Sequence, residues 1–335
     1  MKHLSRVLGL LLLALVALPS APAAAQTGQA TFGVRPATAT KPDERSAFTY
    51  SATPGARITD HVAVSNISAS PLTLKVYASD AFNTAEGGFD LLAGTREPVD
   101  VGAWTTLRAT EVTIPGRSVE IVPFTLEIPA NATPGDHVGG VVASLATEAT
   151  GGDGQRVAIE QRVGARIYLR VSGPLAPSLG IEDLTADYSG EFFGRGQTRV
   201  SYTVRNTGNV RLAGAQHVTV STPWGSEYAA EGEPALPELL PGNAYPVTVV
   251  VPGVLPAGWL DATVRLEPVA PPATEPGPIP VEASTSTAAI PWLLVAVLGA
   301  ALLLVLFLVW RRRRRGRSTP APAPEPTPEV AHAAA

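Results

Sequence analysis

VAIEQRVGARIYLRV, residues 157–171, decides the fold class. Val157, Ile159, Val163, Ala165, Ile167, Leu169 and Val171 take alternate positions, with Glu160, Arg162, Arg166 and Arg170 between them. Side chains alternate between the two faces of a strand, so the run reads as one long strand with a dry face and a wet face.

Working upstream, residues 151–154 carry three glycines and read as a hairpin tip, with a partner strand over 138–146. Period-2 patterns recur over 119–128, 112–114, 72–76 and 57–65, where Ile58, Val62 and Val64 share one side. Pro54-Gly55, residues 66–71, Pro115-Gly116 and residues 130–135 supply turns, and residues 80–94 read as a loop or loose hairpin. No convincing helical period intervenes. The region is therefore all-β and most simply a sandwich.

Downstream, Gly173 and two prolines break the pattern over 172–177. Alternation resumes over 181–188, 200–204, 216–220, 247–251 and 260–266, and Asn206-Thr207-Gly208-Asn209 signals a tight turn between strands. The expectation is two tandem Ig-like β-sandwich domains, 27–173 and 174–267. Residues 268–289, rich in Pro, Glu, Ser and Thr, are expected to form an extended stalk.

Residues 290–310 are apolar and uncharged, and Arg311, Arg312, Arg313, Arg314 and Arg315 follow at once. A bilayer core needs about 20 apolar residues in a helix, so this is a transmembrane helix candidate. Trp292 and Trp310 near its ends suit the interfaces, and the arginines place the tail, 311–335, in the cytoplasm. Lys2 and Arg6, the apolar run 7–18 and Ala23-Ala24-Ala25 predict a signal peptide over 1–25, cut before Gln26. Together they predict a single-pass type I protein of the cell membrane, with its domains on the outer, cell-wall side.

Cysteine is absent, which excludes disulfides, thiolate metal sites and cysteine nucleophiles. Residues 27–289 hold 17 Lys and Arg against 27 Asp and Glu, a net charge of −10 that argues against nucleic acid as a partner. His61, His137 and His217 stand singly, without metal-ligand spacing, and Ser65 and Ser144 lack a nucleophile-elbow context. Asp80, Asn83, Glu86 and Asp90 offer oxygens to calcium, but not at the spacing that wraps an ion, so no metal or cofactor is expected. A hydrolase would need a carboxylate dyad, a histidine site or a nucleophile, and none emerges; the expectation is a non-catalytic protein. Among the aromatics, Phe82 and Phe89 lie in the expected polar loop and are the candidates for stacking on a sugar ring. Covalent attachment to the wall would need a Leu-Pro-x-Thr-Gly signal before the span, which is missing.

Several of these features occur together in one known family. They are Gly33-Val34-Arg35-Pro36, Pro54-Gly55 before Val64-Ser65-Asn66, the polar stretch 80–88, Pro134-Gly135-Asp136-His137-Val138-Gly139-Gly140-Val141-Val142, and residues 164–171. Over residues 32–173 the chain resembles the WxL-interacting-protein peptidoglycan-binding domain, formerly a domain of unknown function, found in single-span surface proteins of Gram-positive bacteria. The resemblance implies that the first domain binds peptidoglycan and that the second mediates protein or surface interactions, with a WxL-type or other surface protein as partner. The other reading is a generic Ig-like adhesion or interaction module without wall binding.

Overall fold

The computed structural model describes residues 30–150 and 156–315. The expected signal peptide and all of the tail beyond residue 315 lie outside the described residues.

The chain builds two sandwiches in sequence. The first comprises β1 (Phe32–Ala37), β2 (Phe48–Ala52), β3 (Arg57–Asn66), β4 (Leu72–Asn83), β5 (Phe89–Leu91), the one-turn α1 (Val101–Trp104), β6 (Thr105–Leu107), β7 (Glu111–Ile114), β8 (Ser118–Glu127), β9 (Gly135–Thr150) and β10 (Arg156–Val171). One sheet has the order β1-β3-β8-β6; the other runs β2-β10-β9-β4-β5, with β7 also on β4. Their facing apolar positions fuse into one core around Phe48, Leu74, Phe124, Leu126, Ile167 and Leu169. Phe48 and Phe124 meet edge to face across the two sheets, centroids 5.1 Å apart, the arrangement that ring quadrupoles favour.

In β10 the sequence reading holds over Ala165, Ile167, Leu169 and Val171, all buried. It does not hold further out. Ile159 is 51% exposed, because the β9–β10 hairpin outruns the sandwich. β4 follows β9 only from Gly139 to Ser144, and β2 follows β10 only from Ile167 to Val171. Beyond those limits β9 and β10 pair with each other alone, from Leu145↔Gln161 to Thr150↔Arg156. Alternation says which residues share a face; it does not say that anything covers that face.

The second sandwich comprises β11 (Leu179–Gly190), β12 (Gly196–Asn206), β13 (Leu212–Ser221), β14 (Glu227–Ala229), β15 (Leu236–Leu239), β16 (Ala244–Val254), β17 (Gly258–Val269) and β18 (Val281–Ala289). Its sheets are β11-β12-β16 and β14-β13-β17-β18, with β15 on β13. The core gathers Val200, Val204, Leu212, Val251, Leu260 and Leu266. Tyr202 and Gln216 are also buried there, and the phenol donates to Gln216 Oε1 at 2.6 Å, so burial leaves neither group unsatisfied.

Two expectations change. The sequence 206–209 does not close a hairpin: β12 pairs with β11 and β16, whereas β13 lies in the opposite sheet. The end of the expected stalk is strand β18, paired with β17 from Leu266↔Val281 to Gly258↔Ala289. Val281, Ala283, Thr285 and Thr287 alternate with more exposed partners, and the open edge of β17 supplies the hydrogen bonds that composition alone does not predict. The segment is thus largely part of the second sandwich.

After Ile290 and Pro291 comes α2 (Trp292–Arg315), about 36 Å long at 1.5 Å per residue. Within it, Trp292–Arg314 is the one helix among the described residues long and apolar enough to cross a membrane, with mean hydropathy 3.0 and none of its apolar window buried.

Candidate functional site

The strongest polar constellation lies between the two sandwiches. Gly135 opens β9 with φ 122°, and a Cβ there would collide with the backbone carbonyl of Asn209. Only glycine lets the two chains come this close, and the Asp136 amide then donates to the Asn209 carbonyl at 2.7 Å. Asn209 Nδ2 donates back to the carbonyls of Pro134 at 2.9 Å and Pro174 at 3.0 Å. The Asp136 carboxylate is almost wholly buried and accepts from Arg170 Nε at 2.7 Å and Nη2 at 3.0 Å. It also accepts the backbone N–H of Arg211 at 3.0 Å. Arg170, held above its ordinary pKa by this hydrogen-bonded pairing, reaches on to Thr274 Oγ1 at 3.1 Å. Arg211 lays its guanidinium over the Tyr168 ring at 4.2 Å.

A second clamp is built on Asn83, at the end of β4. Its Oδ1 accepts from the Leu240 amide at 2.9 Å and its Nδ2 donates to the Glu238 carbonyl at 2.8 Å, while its own amide donates to Asn243 Oδ1 at 3.0 Å. Gly87, in the following turn, packs against Pro237 and Tyr245. Between the clamps runs a groove of about 380 Å³ whose lining includes Tyr50, Asp136, Tyr168, Arg170 and Arg211.

The Gly-Asp-x-x-Gly-Gly run thereby acquires a physical account. Gly135 and Asp136 make the joint. A Cβ on Gly139 would strike the Ser79 carbonyl and Val101, and one on Gly140 the Ala165 carbonyl and Leu91, so both glycines let neighbouring elements close on β9. His137 points to α1: its Nδ1 lies 2.8 Å from Asp100 Oδ1, its Nε2 2.8 Å from the Thr133 carbonyl, and its ring 4.8 Å from that of Trp104. Burial disfavours the charged ring, but the Asp100 carboxylate, the Thr133 carbonyl and nearby Asp136 outweigh it and raise the pKa above the ordinary value.

The stretch expected to be a polar loop is largely β4 and β5, and its polar groups are already engaged. Asp80 is buried and accepts the amides of Val99 at 2.6 Å, Asp100 at 3.0 Å and Gly102 at 2.7 Å, which ties down the start of α1. Asp90 meets Arg162 at 3.4 Å. Asp80, Asn83 and Asp90 thus serve different neighbours, and among the described residues no three His, Cys, Asp or Glu side chains gather as a metal site would require. Phe82 and Phe89 face each other's strands in the β4–β5 hairpin, both half-buried. Arg166 covers one face of the Phe89 ring at 4.2 Å.

Trp292 and Trp310 are 57% and 51% exposed near the two ends of α2. Arg311, Arg312, Arg313 and Arg314 are exposed, and Arg314 sits 4.1 Å over the Trp310 ring.

Sequence reasoning marked the Gly-Asp-x-x-Gly-Gly run and residues 206–209 but did not connect them. Asn209, Arg211 and Asn243 were missed. The signal available was the surplus of hydrogen-bonding side chains after Asn206, more than one turn needs.

No family model matches the chain, and no curated protein matches it either. Among solved structures it is similar to the class 5 fimbriae chaperone CfaA, at 12% identity and TM-score 0.36 over 78% of this chain and 100% of that one. It is also similar to the chaperone YadV, at 12% identity and TM-score 0.33 over 76% and 99% of the respective chains. The PapD-like domain 7 of human CEP192 aligns at 10% identity and TM-score 0.24, over 43% of this chain and 84% of that domain. At such identities and scores the likeness bears only on general β-sandwich architecture.

Proposed function

We propose that this chain is a membrane-anchored, non-catalytic interaction protein of the cell surface, with α2 as the span and both sandwiches outside. One observation carries the reading: the chain is built as a rigid strut ending in a free arm. The first sandwich is clamped to one end of the second through Asp136, Asn209 and Asn83, and α2 leaves two residues after β18. β9 starts at that clamp and runs 16 residues away from it, about 50 Å at the rise of a strand. The β9–β10 arm is thus carried at the end furthest from the span.

Peptidoglycan is the ligand implied by the resemblance of residues 32–173, and an acidic outer part suits a neutral glycan better than an anionic polymer. The test is cosedimentation of the detergent-solubilised full chain with insoluble peptidoglycan. A pellet that resists added salt supports the reading, and protein left in the supernatant overturns it.

The second reading, a protein-binding module without wall binding, has its own observation. β10 from Arg156 to Arg166 and β9 from Leu145 to Thr150 keep an edge that no strand covers among the described residues. Such edges accept an added strand from a partner. Hydrogen exchange at the arm amides on adding cell-surface extract distinguishes the readings, because only strand addition protects them.

A further inference from the structure

We infer that the end of the second sandwich nearest α2 rests in the bilayer interface, as a second contact with lipid besides the span. The inference rests on α2 being the anchor.

The strand registers place several separate loops at one end of this sandwich. Gly190↔Gly196 closes the β11–β12 hairpin there, and Gly196↔Val254 brings in the end of β16. Ser221↔Asp261 puts the turn between β13 and β14 beside them, and Gly258↔Ala289 is the pair at which the chain departs for α2. At this end stand Trp224 (68% exposed), Phe193 (66%), Trp259 (57%), Phe192 (50%) and Leu255 (40%). The opposite end of the sandwich holds the clamp to the first one.

Exposed apolar residues scattered singly need no explanation, but a patch at one end of a domain does. Four of these five are Phe or Trp, and three sit in loops with no strand to support: Phe192 and Phe193 touch each other, centroids 4.8 Å apart, instead of entering the core. The loops join the first turn of α2 around a cleft of about 630 Å³, lined by Phe192, Trp224, Leu255, Pro256, Ile290 and Trp292. A lipid surface is the occupant that continuity selects. Ile290 and Pro291 alone separate β18 from the apolar helix, which leaves no tether to lift this end away from the headgroups. Charge agrees. Glu191 and Arg195 flank the Phe192-Phe193 pair with opposite signs, so the loop carries no net charge to repel an anionic leaflet, and the drive is insertion of aromatic rings at headgroup depth.

The test uses the native absence of cysteine. Single cysteines at Glu191→Cys, Ser226→Cys, Leu302→Cys and Val99→Cys, each spin-labelled, are introduced into the full chain reconstituted in vesicles of phosphatidylcholine and phosphatidylglycerol. The readout is collision with oxygen, which concentrates in lipid, relative to a water-soluble nickel chelate. Labels at 191 and 226 should show a ratio severalfold above that at 99, which lies on the first sandwich and is 84% exposed. Replacing Phe192, Phe193 and Trp224 by serine should return both to the value at 99. If 302 reads as lipid while 191 and 226 read as water, the docking inference fails and the anchor stands. If 302 itself reads as water, the anchor reading fails and this inference with it. If 191 and 226 keep their high ratio after the serine substitutions, the rings are not what holds them and the inference is overturned.

Discussion

Asp136 of the first sandwich and Arg211 of the second are joined by a hydrogen bond of 3.0 Å from the Arg211 backbone amide to the same carboxylate that pairs with Arg170. One buried anion therefore closes a strand end, neutralises an arginine and fixes the second sandwich. Asp136→Ala leaves Arg170, whose side chain is only 19% exposed, without its counter-ion. Removing one partner of a buried pair costs about 3–5 kcal/mol. Chemical denaturation should show a loss of that order, and small-angle scattering a wider spread of angles between the sandwiches. An unchanged scattering profile would show that the joint does not depend on this carboxylate.

The two faces of β10 make a sharper contrast. Ile167 is fully buried between the sheets, so Ile167→Asp introduces an uncompensated charge and should cost several kcal/mol, enough to unfold a marginally stable sandwich. Arg166 lies on the outer face over Phe89, and Arg166→Asp should cost about 1 kcal/mol or less, since only an exposed cation–π contact is lost. Comparable falls in melting temperature for the two variants would mean that the core lies on the other face.

These faces were legible because half-buried strands must alternate, and residues 163–171 alternate without interruption. What was not legible follows from the same physics. Ile159 keeps the period but lies beyond the sandwich, and a periodicity carries no information about where the opposing sheet ends. β18 was hidden because Val281, Ala283, Thr285, Thr287 and Ala289 bury little apolar area, and the edge of β17 that orders them lies elsewhere in the sequence. The cross-sheet turns have a local signature visible only in retrospect. Asn66 and Asn206 are both buried at the ends of β3 and β12, six residues before Leu72 and Leu212, which begin the next strands. Asn66 Nδ2 donates to the Ser70 and Ile114 carbonyls, and Asn206 Nδ2 to those of Val210 and Leu239. The same side chain turns the same corner in each sandwich. The joint was least legible, because its partners, Gly135 and Asn209, are 74 positions apart.

His137 gives the first sandwich a pH dependence of definite sign. Both ring nitrogens face acceptors, so the imidazolium is the satisfied form, and the folded pKa lies above the ordinary 6.5. A group whose pKa is raised on folding stabilises fully below its unfolded value and loses that contribution as the pH rises through the folded value. The melting temperature should therefore fall as pH increases from about 6 into the alkaline range. His137→Gln should flatten this part of the profile. Proton NMR of the His137 ring checks the cause directly: titration at or below the ordinary histidine value would remove it.

The last prediction separates the two ligand readings by surface. Phe82 and Phe89 lie in the β4–β5 hairpin, and Ile159 lies on the distal arm. If a glycan is read by aromatic stacking, Phe82→Ala with Phe89→Ala should weaken peptidoglycan sedimentation severalfold, since a stacking platform is lost. It should also lower the melting temperature modestly, because both rings are half-buried and Phe89 supports Arg166. Ile159→Lys should leave that sedimentation unchanged. If instead a protein strand pairs with the arm, the charge at position 159 should abolish capture while the two alanines are tolerated, because a lysine on an open edge opposes strand addition. At 51% exposure, Ile159→Lys removes little buried area, so its melting temperature should stay within about 1 °C of the parent, in keeping with the small cost of surface substitutions. Loss of peptidoglycan binding in the arm variant alone would refute the assignment of the glycan to Phe82 and Phe89 and move the reader to the arm.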